Sequence, residues 1–169
     1  MKNKLGFTLL ELLVVVLIIG ILAGIALPQY KMAVAKSEYN TIKNMTESLA
    51  QAVERYYLTT STPPENLEDL DIDMAGEYTN KNKIRKYLPT GGTCGFNAGN
   101  DSYQEMICFK VISGKSMAYL VRFYYNQSEK ARSCLAYDGS DDDITNRICQ
   151  VETKKTSYKH SSSYHFYTY

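Results

Sequence analysis

The sequence predicts an α+β fold in which one long N-terminal helix packs on a small antiparallel sheet, and three observations predict it. From Leu12 to Leu27 no charged or strongly polar side chain occurs, and the rest of the 169-residue chain shows no second run of this kind. Beyond Pro28, apolar or small residues recur at Ala35, Tyr39, Ile42, Thr46, Leu49, Val53 and Tyr56. They alternate four and three apart, as on one face of a helix. In the second half, short runs rich in β-branched and aromatic residues are separated by Gly-containing turns. The expected organisation is a short basic segment at 1–6, an apolar helix at 7–27, its amphipathic continuation at 28–58, and a globular head at 59–169.

The composition narrows the function. A mean hydropathy of −0.31 describes a polar chain on average, so the apolar run stands out as one membrane-length segment, and a multi-span channel or transporter is excluded. Lys+Arg number 19 against 18 Asp+Glu, a net charge of +1 that disfavours a dedicated nucleic-acid binder.

The 21 residues from Phe7 to Leu27 span about 30 Å as a helix, the thickness of a bilayer core. Lys2 and Lys4 precede them and belong on the cytoplasmic side. A secretory signal peptide is the competing reading, with Ala26 as the small residue at its cleavage site. The apolar run is longer than a usual signal core, and Pro28-Gln29-Tyr30 follows it directly. Neither a signal peptide nor a plain anchor explains Glu11. A carboxylate near the end of a spanning helix reaches the headgroups or finds a cation, and such residues are functional by default.

Lys4-Leu5-Gly6-Phe7-Thr8-Leu9-Leu10-Glu11 and the apolar run through Pro28-Gln29-Tyr30 closely resemble the processing region of type IV prepilins and type II secretion pseudopilins. The combination of short basic leader, Gly-Phe bond, Glu and apolar run is very specific; Leu10, where Ile is commoner, is a trivial departure. The resemblance implies a type IV pilin-like fold with a disulfide-bonded C-terminal loop. It implies a leader at 1–6, cleavage between Gly6 and Phe7 by a membrane prepilin peptidase, and N-methylation of Phe7. It makes Glu11 the assembly glutamate, pairing in a filament core with the Phe7 amine of a neighbour. The implied partners are identical or related pilin subunits, the prepilin peptidase/methyltransferase and an inner-membrane assembly platform. The implied location is the inner membrane, single-pass with the head outside the cytoplasm, and then an extracellular pilus or a periplasmic pseudopilus. Gly20, Gly24 and Pro28 weaken the middle of the helix, because Pro removes a backbone donor and Gly has poor helix propensity. The bland consequence is a gentle kink; the resemblance adds that the stretch unwinds on filament formation.

In the rest of the chain, the helix is expected to run to about Tyr57, with Lys36, Glu38, Lys43, Glu47 and Glu54 off its apolar stripe. Thr59 to Pro64 reads as a loop, and Glu65–Ile72 as a short acidic helical turn facing Leu67, Leu70 and Ile72 inward. Residues 78–89 are ambiguous, and Gly91, Gly92 and Gly95 open a loop. Strands are expected at 106–112, 117–125 and 133–137, the first two joined in a hairpin through Ser113-Gly114-Lys115.

Four cysteines, Cys94, Cys108, Cys134 and Cys149, all lie in the head without a C-x-x-C spacing, so an exported head would hold two disulfides rather than a zinc site. Three connectivities are open. The sequential one, Cys94–Cys108 and Cys134–Cys149, closes two loops worth roughly 3 kcal/mol each in the chain-entropy model; the nested one is its main rival. The Cys134–Cys149 pair resembles the C-terminal disulfide loop of many type IV pilins.

Asp138-Gly139-Ser140-Asp141-Asp142-Asp143 clusters oxygens on a Gly-containing loop, as calcium sites do, and pseudopilins commonly use calcium in this region. EF-hand spacing is absent, since Cys149 stands twelfth from Asp138, and an acidic loop is usually just solvated. The expectation is no cofactor, with calcium at Asp138–Asp143 as the alternative and no ligand set assigned. The tail from Lys154 to Tyr169 mixes cations and aromatics, yet so short a basic run disfavours nucleic acid, and alternation from Tyr164 reads as an edge strand. His160 and His165 have no metal partner legible in sequence. No nucleophile triad or phosphate loop is recognisable, so an enzyme is not expected. Three functions remain: the structural subunit of a type IV pilus, first; a type II secretion pseudopilin; and, from another class, a membrane-tethered binding module with a pilin-like anchor.

Overall fold

Helix α1 runs from Leu9 to Thr60 without interruption through Pro28. The structure, a computed structural model, describes residues 7–100, 102–127, 130–161 and 163–169, without side-chain detail at 98 and 99. The chain forms two compact units, Met1–Val34 and Ala35–Tyr169. In the first, α1 exposes its large apolar side chains throughout, from Leu9 to Leu27, and it is long and apolar enough to cross a membrane.

The second unit contains the rest of α1, a 3₁₀ turn at Leu67–Asp69, strands β1 (Arg85–Tyr87), β2 (Thr93–Asn100), β3 (Tyr103–Ile112), β4 (Lys115–Tyr124) and β5 (Lys130–Tyr137), helix α2 (Ile144–Thr153), and strands β6 (Lys159–Ser161) and β7 (Tyr164–Thr168). The strands form one seven-stranded sheet in the order β1-β2-β3-β4-β5-β7-β6, every pair antiparallel. The α+β class and the long helix are as the sequence predicts.

The period-3.6 stripe closes the core. Ala35, Tyr39, Ile42, Thr46, Leu49 and Val53 are all buried, and Tyr39 meets Tyr119 of β4 edge-on at 6.2 Å. The five charged residues flanking that stripe reach across to the rest of the unit. Lys36 and Lys43 both pair with Glu152 of α2, Glu38 with Lys110, Glu47 with Arg132, and Glu54 with Lys130. The apolar stripe supplies burial, and the paired flanks fix the rotation of the helix over the sheet.

Three local expectations change. Gly95 sits within β2 rather than in a loop, whereas Gly91 and Gly92 lie in the bend that leads into that strand, as expected. Gly92 has φ +95°, and a Cβ there would lie 2.0 Å from the Phe109 carbonyl oxygen, while one on Gly95 would lie 2.2 Å from that of Ile84. These glycines permit close strand approach, which composition alone reads as a loop. Helix α2 was not expected. Its buried face is largely polar, with Thr145, Asn146 and Thr153 beside Ile148 and Cys149, so it carries no apolar stripe. Finally, β7 is not an edge strand: it lies between β5 and β6.

Candidate functional site

The start of α1 is built by Thr8 and Glu11. The Thr8 backbone N–H and the Thr8 hydroxyl each donate to Glu11 Oε2 at 2.8 Å. The Glu11 N–H donates to Thr8 Oγ1 at 3.2 Å. This reciprocal pair is a capping box, Thr at the cap and Glu three residues on, and it satisfies two of the donors orphaned at a helix start. The Thr-x-x-Glu spacing was present in the sequence and its capping role was missed there, because the stronger motif surrounds it. Phe7 is 87% exposed; Gly6 lies outside the described residues. Gly20 and Gly24 have open space where a Cβ would stand, and Pro28 lies inside the helix.

The head holds two disulfides and no free cysteine. Cys94 and Cys108 face each other directly across β2 and β3, with Cα atoms 4.0 Å apart. Cys134 on β5 joins Cys149 on α2 at a Cα separation of 5.5 Å. Of the three connectivities open in the sequence, the structure holds the sequential one. The second bond ties α2 to the sheet and closes a loop containing Asp138 to Asp143.

Three carboxylates of that loop have separate partners. Asp143 faces Lys115 at 3.6 Å. Desolvation and, after it, the Asp141 carboxylate raise the Tyr158 hydroxyl above its ordinary range. Asp138 turns to both histidines: its Oδ1 lies 2.8 Å from His165 Nε2, and its Oδ2 lies 3.1 Å from His160 Nε2. The tail's aromatics are engaged in packing. Tyr158 stacks on His165 with centroids 3.7 Å apart, and the Tyr169 hydroxyl meets that of Tyr39 at 3.0 Å. Burial, then Tyr169, pushes the Tyr39 hydroxyl well above its ordinary pKa.

An exposed apolar helix opening on a capped glutamate, continued into a disulfide-bonded sheet domain, defines the class as a helix-anchored α+β head. Residues 1–27 match the family model described as the prokaryotic N-terminal methylation motif. A type IV major pilin protein of Neisseria gonorrhoeae is 43% identical over 155 residues, covering 88% of this chain and 70% of that protein. A fimbrial protein of Neisseria meningitidis is 31% identical over 100 residues, 57% of this chain and 59% of the relative. A type IV major fimbrial protein of Dichelobacter nodosus is 49% identical over 49 residues, 29% of this chain and 31% of the relative. Against the meningococcal protein and two further gonococcal pilins the chain spans between 50% and 61% of the relative's length. No solved structure gives a significant match. The chain belongs to the type IV pilin family.

Proposed function

We propose that this chain is a structural subunit of a type IV pilus, cut between Gly6 and Phe7, methylated on Phe7 and assembled through its N-terminal helix. The observation that carries the reading is the first part of α1. Its apolar side chains are exposed all round from Leu9 to Leu27, and a carboxylate, Glu11, stands at its start. Lipid covers such a surface before assembly, and the helices of neighbouring subunits cover it afterwards. Cleavage would create an amine at Phe7, and in a dry filament core Glu11 of one subunit would pair with the Phe7 amine of the next. Breaking one partner of a buried pair costs about 3–5 kcal/mol, enough to set subunit register. The partners are then further copies or relatives of this chain, a prepilin peptidase/methyltransferase and an inner-membrane assembly platform. Gly20, Gly24 and Pro28 would let the helix unwind during assembly. Relatives named as major pilins and fimbrial proteins favour the pilus over the pseudopilus or a tethered binding module.

Two measurements test this together. Intact mass and N-terminal sequencing of the protein from its native cell should show Phe7 first with one added methyl; a chain starting near Leu27 would restore the signal-peptide reading. Glu11→Ala should leave mature protein in the membrane with a folded head, yet abolish sheared surface filaments when it is the only copy. Normal filament yield from that variant would overturn the role of Glu11, and no filaments even from the unmutated chain would favour the tethered module.

A further inference from the structure

We propose that Asp138, His160 and His165 form a binding site for a borderline-soft divalent metal ion such as zinc, which ties the C-terminal hairpin to the sheet. Each offers one ligand atom, and these atoms all lie within 4.8 Å of one another. Strand pairing brings them together: His160 and His165 oppose each other across β6 and β7, while β7 pairs with β5, whose end leads into Asp138.

The hydrogen bonds around His165 aim its Nε2 at the Asp138 carboxylate. The Asn146 amide NH₂ donates to the carbonyls of Ser140 at 3.1 Å and Tyr137 at 3.4 Å, which leaves its Oδ1 as an acceptor. That oxygen lies 3.0 Å from His165 Nδ1 and also accepts from the Tyr167 hydroxyl. Nδ1 is therefore the protonated nitrogen, and in neutral imidazole Nε2 carries a lone pair. Yet Nε2 faces the Asp138 carboxylate at 2.8 Å. Two lone pairs at that distance repel unless a positive species lies between them, either a proton or a metal ion. The second histidine, with Nε2 on the other oxygen of the same carboxylate, favours the metal.

The surroundings match what metal ligands need. A ligating histidine ordinarily fixes its orientation by donating through the other ring nitrogen, as His165 does to Asn146. Tyr158 stacked on the ring holds it further. His165 is buried, whereas the His160 side chain is 56% exposed and that of Asp138 38%, so an ion can enter from solvent. Ligand atoms around a tetrahedral ion with bonds of about 2.0–2.1 Å stand roughly 3.3 Å apart. The carboxylate therefore has to withdraw slightly from His165, and the exposed His160 has to close in from a spread of up to 4.8 Å. Two imidazoles with one carboxylate suit zinc, copper or nickel rather than calcium. On binding, the metal takes the place between Nε2 and Asp138, any proton shared there leaves to solvent, and water completes the coordination.

The test is direct, because the chain has only two histidines and its four cysteines are all in disulfides. Untagged full-length protein in detergent, stripped with a chelator, is titrated with zinc chloride by calorimetry and scanned for thermal unfolding. We expect one ion per chain and a raised melting temperature. His160→Gln, at an exposed position, and Asp138→Asn should each weaken binding at least about tenfold and remove the melting shift. Absence of zinc binding, or unchanged binding in His160→Gln, would overturn the site. Calcium binding as tightly as zinc would also overturn it, in favour of a hard-cation site on the Asp138–Asp143 loop.

Discussion

The two parts of helix α1 obey the same backbone rules and face opposite fates. From Leu9 to Leu27 the large side chains stay open, with Leu17 58% exposed. From Ala35 onward one stripe is closed against the sheet, with Leu49 fully buried, and every flanking charge from Lys36 to Glu54 named above has an ionic partner. The second part has its partners within this chain. The first part leaves its apolar side chains exposed, and the proposed function gives them lipid and neighbouring subunits. Residues that fold the subunit and residues that would assemble it are thus separated along a single helix.

The sharpest way to break that comparison is to remove the same side chain from each part. Leu49→Ala empties a closed site and should cost about 2–5 kcal/mol of head stability. Leu17→Ala should leave the thermal unfolding of the head unchanged when the full chain is measured in detergent. Equal losses would mean that the exposed part contributes to the folding of the head after all.

Glycines offer a second contrast of smaller size. Gly92→Ala places a Cβ against a backbone oxygen at a positive φ, and the strain should cost about 1–3 kcal/mol. Gly20→Ala enters open space in a helix, where alanine is the better residue by up to about 1 kcal/mol. Circular dichroism melts of the two variants should therefore move in opposite directions or, for Gly20→Ala, not at all in the head transition.

What the sequence made legible follows from which signals are periodic. The stripe from Ala35 to Val53 was readable because burial on one helix face repeats every 3.6 residues, and β3 and β4 because Met106–Ile112 and Met117–Tyr124 are rich in apolar and aromatic residues. The N-terminal methylation motif was readable because its parts are contiguous. Helix α2 was hidden because polar Thr145 and Asn146 occupy its buried face, Asn146 held there by hydrogen bonds to the Tyr137 and Ser140 carbonyls, which leaves no apolar rhythm. Strand β2 was hidden because Gly95, within it, serves close backbone approach while resembling a loop residue. The Asp138–His160–His165 cluster was invisible because it exists only through strand order. No local spacing announces that β7 inserts between β5 and β6.

The last contrast is electrostatic and the smallest. Glu152 accepts from Lys43 at 2.9 Å and pairs with Lys36 at 3.1 Å. Burial pushes the carboxyl up, but the two lysines outweigh it and hold it below its ordinary value. Glu47 behaves alike: burial raises it, and hydrogen bonds from Arg132 and Tyr119 bring the net shift down. A carboxyl whose folded pKa is depressed binds protons more weakly in the native state than in the unfolded one. Its stabilisation is therefore complete above the ordinary carboxylate range and fades as pH falls through the lowered folded value. Since Lys36 is well exposed, each such pair should contribute no more than about 1 kcal/mol. Glu152→Gln should accordingly be slightly less stable than the parent at neutral pH, and the gap should close as the pH falls through and below the ordinary carboxylate range. Thermal melts of both proteins across that range measure it. A gap that widened in acid would show that Glu152 holds α1 by something other than its charge.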